Sequence, residues 1–111
     1  MYKLSDETFT KEVTAAPLAV LDFMAEWCQP CKPVSVFMER LEKEFSMVKF
    51  YKVDVDKMPR VTGLFDIQSV PTILFFVNGK PITSLEGKKI TESTVKTYLQ
   101  HLDTSYHKKI K

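Results

Sequence analysis

Leu18–Phe45 reads LAVLDFMAEWCQPCKPVSVFMERLEKEF, and this stretch decides the fold. Its first part, Leu18 to Ala25, is a short and nearly continuous apolar run, the pattern of a strand buried on both faces. One charge, Asp22, interrupts it. The last part, Val34 to Phe45, carries Val34, Phe37, Met38, Leu41 and Phe45 at i, i+3, i+4 and i+7 spacing, with charge on the opposite face, and reads as an amphipathic helix. Between them lies Trp27-Cys28-Gln29-Pro30-Cys31-Lys32, with both cysteines and the only tryptophan of the chain.

The flanks extend the alternation. Ser5 or Asp6 caps a first helix, on which Phe9 and Val13 share a face; Pro17 ends it. Met47–Asp56 (MVKFYKVDVD) alternates and is rich in valine and aromatics, as a strand should be. MPRVTGLFDIQ reads as a short helix with Pro59 in its first turn. VPTILFFVNGKPITSLEG is two strands about Asn78-Gly79, a strong hairpin signal. ITESTVKTYLQHL closes the pattern as a helix, with Thr91 as N-cap and Val95, Tyr98, Leu99 and Leu102 inward. The order is helix, strand, helix, strand, helix, strand, strand, helix. It implies an α/β fold: a mixed sheet, parallel plus an antiparallel hairpin, with helices on both faces. The closing TSYHKKIK is polar, basic and aperiodic, and reads as a frayed tail.

The 111 residues fit one domain. A composition of 44% hydrophobic and 27% charged residues is that of a globular protein. The net charge of +2 does not point to nucleic acid. No run approaches the ~18 apolar residues of a membrane span. The opening MYKLSDETFTKEV has no apolar h-region and does not read as a signal peptide. A cytoplasmic location with reduced thiols is therefore expected. Two cysteines in that setting are more readily catalytic or metal-binding than a structural staple.

Three readings of the pair remain: a redox couple, half of a metal site, or two packed cysteines. A helix start near Gln29 or Pro30 puts Cys28 where free N–H groups and the helix dipole favour a thiolate, the reactive form. Cys31, about one turn on, lies on the same face and can attack a mixed disulfide formed at Cys28. Zinc usually takes four ligands, and beyond the cysteines only His101 and His107 remain, far along the chain. Cysteine can also serve merely as a small buried hydrophobe.

LDFMAEWCQPCKPV closely resembles the active-site segment of thioredoxins, typically V-D-F-W-A-x-W-C-G-P-C-K. The likeness continues in order: Lys52–Pro59 (KVDVDKMP) is similar to the family's third strand and following turn, Ile67–Lys80 (IQSVPTILFFVNGK) to its cis-proline loop and hairpin, and Leu85–Gly87 to its glycine segment. It covers about residues 2 to 103. The resemblance implies a thioredoxin fold over residues 1–104, followed by a basic C-terminal tail at 105–111. It implies a thiol-disulfide oxidoreductase that reduces protein disulfides as a redox carrier, with Cys28 as nucleophile and Cys31 as resolving thiol, and with no cofactor or metal beyond the Cys28–Cys31 disulfide. Asp22 would move the resolving thiol's proton, with Lys52 as its partner. Val70-Pro71 would be cis, offering the Val70 backbone to a client. Trp27, Gln29, Pro30, Val70 and Gly87 would form the docking surface. The implied partners are disulfide-containing clients and an NADPH-dependent thioredoxin reductase, with neither nucleic acid nor membrane, and the chain as a monomer. The alternative is a thioredoxin-like adaptor in which redox activity is secondary.

Several positions depart from the family pattern. Gln29 replaces glycine, adding an uncharged side chain beside the nucleophile. Met24 stands where a tryptophan is usual. Pro33 is expected to remove an early helix hydrogen bond and kink the first turns, while Val36 takes the place of the family's mid-helix proline. Asp66 occupies a common glycine position, and Glu86 places a negative charge beside the docking patch.

Overall fold

A computed structural model describes the backbone of residues 1–110 and the side chains of residues 1–104. Five strands, β1 (Tyr2–Lys3), β2 (Leu18–Met24), β3 (Lys49–Asp54), β4 (Thr72–Val77) and β5 (Lys80–Glu86), form one sheet in the order β1-β3-β2-β4-β5. The β1–β3 and β3–β2 pairings are parallel; β2–β4 and β4–β5 are antiparallel. The expected mixed sheet is therefore present, with four helices, α1 (Phe9–Ala15), α2 (Cys31–Glu44), α3 (Pro59–Leu64) and α4 (Glu92–Ile110). The tail expected at 105–111 lies outside the residues whose side chains are described, although the backbone of α4 runs through Ile110.

Alternation along β2 sorts the core into two layers. Leu18 and Val20 face Val34, Met38 and Leu41 of α2 and Val95, Leu99 and Leu102 of α4. Ala19, Leu21 and Phe23 face Phe9 and Val13 of α1 and Val61 of α3. Asp22 follows Leu18 and Val20 in that alternation, so it belongs to the layer under α2. Tyr98 is half-buried, its ring centroid 5.4 Å from that of Phe75.

The hairpin turns at Asn78 and Gly79, with φ of 51° and 79°, the left-handed pair that such a tight turn requires. Asp66 has φ of 52°. That conformation accounts for glycine being common at its position, and aspartate is among the residues that tolerate it.

Three readings change. β1 was not anticipated; two residues have no alternation to read. α2 starts at Cys31, not at Gln29 or Pro30, with Pro30 as N-cap. Pro33 is thus the third helical residue, among the first four N–H positions that lack an intrahelical partner in any helix. It removes no ladder bond, and α2 continues unbroken to Glu44.

The third change concerns Asp6. α1 starts at Phe9 with Thr8 as N-cap, so neither Ser5 nor Asp6 holds that place; Ser5 closes the turn before it, its N–H donating to Thr8 Oγ1 at 3.0 Å and its Oγ accepting the Thr8 N–H at 3.2 Å. Asp6 instead caps α3, accepting the N–H groups of Arg60 and Val61 at 3.1 Å each. Asp6→Ala should therefore cost about 1 kcal/mol, the usual worth of a helix cap. Urea denaturation checks this, and an unchanged midpoint would contradict the cap.

Candidate active site

The site lies where β2 and β3 end and β4 begins. β2 delivers the chain into a turn in which the Cys28 N–H donates to the Ala25 carbonyl at 3.1 Å and the Lys32 N–H to the Gln29 carbonyl at 3.1 Å. This turn leads directly into α2. Cys28 and Cys31 are joined as a disulfide, with Cα atoms 5.4 Å apart. Cys31 is the first residue of the 14-residue α2, so its partner sulfur is held at the helix N-terminus. The partial positive charge there favours a thiolate once the bond is reduced.

The pair is 3% and 1% exposed, packed with Ala25, Met24, Val55 and Val70. Met24 thus fills apolar volume beside the sulfurs. Around this small buried cluster the surface is open: Trp27 is 67% exposed, and Gln29 and Pro30 are also exposed. The Trp27 indole N–H donates to Asp56 Oδ2 at 2.8 Å, fixing the ring's edge. With Val55, Ile67 and Val70 it lines a shallow groove beside the disulfide.

Val70-Pro71 is cis. The Thr72 hydroxyl donates to the Ser69 carbonyl at 2.8 Å and closes the turn around it. The Pro71 carbonyl accepts the Gly87 N–H at 3.1 Å, bringing the glycine segment alongside this loop. Gly87 has φ of 55°, and a Cβ there would meet no atom within 4 Å. Backbone conformation rather than crowding favours glycine at that place.

Asp22 is completely buried. Burial pushes its carboxyl up from the usual 3.8 to about 6; a hydrogen bond from Ser35 and the charge of Lys52 oppose the rise. The Ser35 hydroxyl donates to Oδ2 at 2.9 Å, whereas Oδ1 has no hydrogen-bond partner. Lys52 is in register with Asp22 across β2–β3. It lines a cleft with Met24, Glu26, Cys31, Lys32 and Ser35.

The fold thus gathers Cys28, Cys31, Trp27, Gln29, Pro30, Val70, Pro71 and Gly87 on the surface side, with Asp22 and Lys52 behind. Sequence reading missed Ser35. Its place one turn beyond Cys31 on α2 carries no signal by itself, because the bond to Asp22 depends on how α2 lies on the sheet. Asp56 was also passed over. Among the described residues no His, Cys, Asp and Glu cluster could hold a metal. No helix among them is long and apolar enough to cross a membrane.

A family model described as Thioredoxin matches residues 1–101. The thioredoxin of Chlamydia trachomatis is 36% identical over 98 residues, spanning 88% of this chain and 95% of that protein. Thioredoxin 1 of Plasmodium falciparum is 37% identical over 83 residues, 75% of this chain and 80% of its own. A solved thioredoxin structure from Plasmodium falciparum superposes with a TM-score of 0.85 at 32% identity, covering 91% of this chain and 98% of that one.

Proposed function

The chain belongs to the thioredoxin family, and from that membership we propose a division of labour within its Cys28–Cys31 redox pair. The protein is a thiol-disulfide oxidoreductase, a protein-disulfide reductase working through that pair. In our reading the Cys28 thiolate attacks a client disulfide, forming a Cys28–client bond and releasing one client thiol. Cys31 then gives its proton to Asp22 and attacks Cys28 Sγ. The second client thiol leaves, the Cys28–Cys31 disulfide forms, and two electrons have passed to the client. The observation that carries this reading is a disulfide at a helix N-terminus with a buried, proton-binding carboxyl behind it.

Lys52 acts on Asp22 through its charge, favouring the ionised carboxylate. Val70, beside the cis Pro71, supplies backbone for a client strand, and Trp27, Pro30 and Gly87 flank it. Disulfide-bearing proteins are the clients, an NADPH-dependent thioredoxin reductase restores the dithiol, and the cytoplasm is the compartment in which this poise is useful.

Gln29 is uncharged and exposed. It therefore leaves the thiolate's electrostatics close to those of the glycine form and acts on partner choice. Thioredoxins have an established potential of about −270 mV. We expect this pair to equilibrate with dithiol buffers within ~30 mV of that value, equivalent to about 1.4 kcal/mol. Gln29→Gly should change the KM for protein clients more than the potential. A potential near that of strong oxidants, about −120 mV, would replace the reductase direction with disulfide formation.

A further inference from the structure

We propose that Ser35 is a positioning residue of the exchange reaction: its hydroxyl holds Asp22 by Oδ2, leaving Oδ1 to receive the Cys31 proton. The inference rests on Asp22 being the proton acceptor. Ser35 lies in the cleft that Cys31 lines, one helical turn beyond it. Its side chain is committed to the carboxylate at 2.9 Å. Oδ1 is buried and without a partner. A buried carboxylate oxygen left unpaired is costly, and a proton relieves that cost at this one atom.

The groups facing Asp22 are few. Lys52 comes from β3, with Asp54 two residues further along the same strand. Cys31, Lys32 and Ser35 of α2 and Glu26 of the preceding turn line the adjoining cleft with Lys52. Asp54 is occupied in its own turn, where Oδ1 accepts the Asp56 N–H at 3.0 Å. The β4 residue opposite Asp22 is Ile73, and α4 contributes Val95 and Leu99 to this layer, all uncharged. Ser35 is thus the only neutral donor bonded to the carboxyl among the described residues.

In the resolving step the Cys31 S–H proton passes to Oδ1. The sulfur electron pair forms the bond to Cys28 Sγ as the Cys28–client bond breaks. The departing client sulfur takes a proton from solvent, and Asp22 later returns its own to water through the cleft. Ser35 does not exchange a proton with either sulfur; it sets which oxygen is free and how readily that oxygen ionises.

The test combines carbon-13 titration of the Asp22 carboxyl in the intact oxidised protein with the pH profile of insulin disulfide reduction. Ser35→Ala should raise the carboxyl midpoint by about one pH unit, because a donor to the charged form is lost. The acid limb of the rate profile should move with it. Ser35→Thr, which keeps the hydroxyl, should restore both. A purely structural serine would lower stability and leave the two midpoints in place, and that result overturns the proposal; so does a carboxyl midpoint that moves without the rate. Asp22→Asn separates the readings. If it abolishes the acid limb while Ser35→Ala leaves the limb unmoved, only the role of Ser35 fails. If the Asp22→Asn profile matches the parent's, the proton-acceptor reading itself fails.

Discussion

Cys31→Ser should attack a client disulfide once and then stop, accumulating as a Cys28–client adduct. The serine hydroxyl occupies nearly the volume of the thiol but cannot displace sulfur, so the first bond forms and the second does not. The remaining escape is attack by an external thiol at millimolar concentration. An oriented intramolecular group can act at effective molarities of ~10⁵ M, so multiple-turnover reduction should fall by at least about 10³-fold. Non-reducing electrophoresis and intact mass read the adduct directly, and Cys28→Ser should form none. The assignment of roles reverses if Cys28→Ser traps the client and Cys31→Ser does not. Turnover persisting in Cys31→Ser would mean that the second thiol is dispensable.

Asp22→Asn should make the oxidised protein more stable at neutral pH while impairing its resolving step. The carboxyl titrates near 6 in the folded chain against an ordinary 3.8. Between those values the folded state holds a proton that the unfolded state has released. Stability therefore falls as pH rises through this window, and the full penalty is present above about pH 7. At about 1.4 kcal/mol per pH unit the penalty comes to about 3 kcal/mol. Asparagine removes it but leaves an amide poorly paired, so a net gain of about 2 kcal/mol is expected, or roughly 10 °C in melting temperature for a domain of this size. Urea denaturation at pH 7.5 should show the gain, and at pH 3.5 it should disappear. An equal gain at both values would mean that packing, not ionisation, is responsible.

The two cysteines, the apolar run before them and the striped helix after them were legible because each is a local pattern. So was the hairpin, since Asn78-Gly79 matches the dihedral angles the turn demands. Asp22 could be singled out as a charge in an apolar strand. Its partner could not: Ser35 lies on another element, and only the packing of α2 on the sheet brings its hydroxyl to the carboxylate. Asp6 failed for the same reason in a stronger form. It stands beside α1 in the sequence as one of two candidate caps, whereas it serves α3, 54 residues away. A helix start at Gln29 or Pro30, one or two residues before the observed Cys31, turns the harmless position of Pro33 into a disruptive one.

The place of β2 in the sheet has a consequence for the chain as it is made. Its antiparallel neighbour, β4, ends at Val77, so about 50 residues must leave the ribosome after β2 before that side is covered, or ~3–10 s at 5–20 residues per second. Throughout that interval the nascent protein carries an uncapped apolar edge, LAVLDFM, able to pair with any extended segment nearby. The parallel half can assemble first, but only translation through the hairpin closes the hazard. Slow codons between residues 25 and 72 should therefore lower the soluble yield more than slow codons placed after β5.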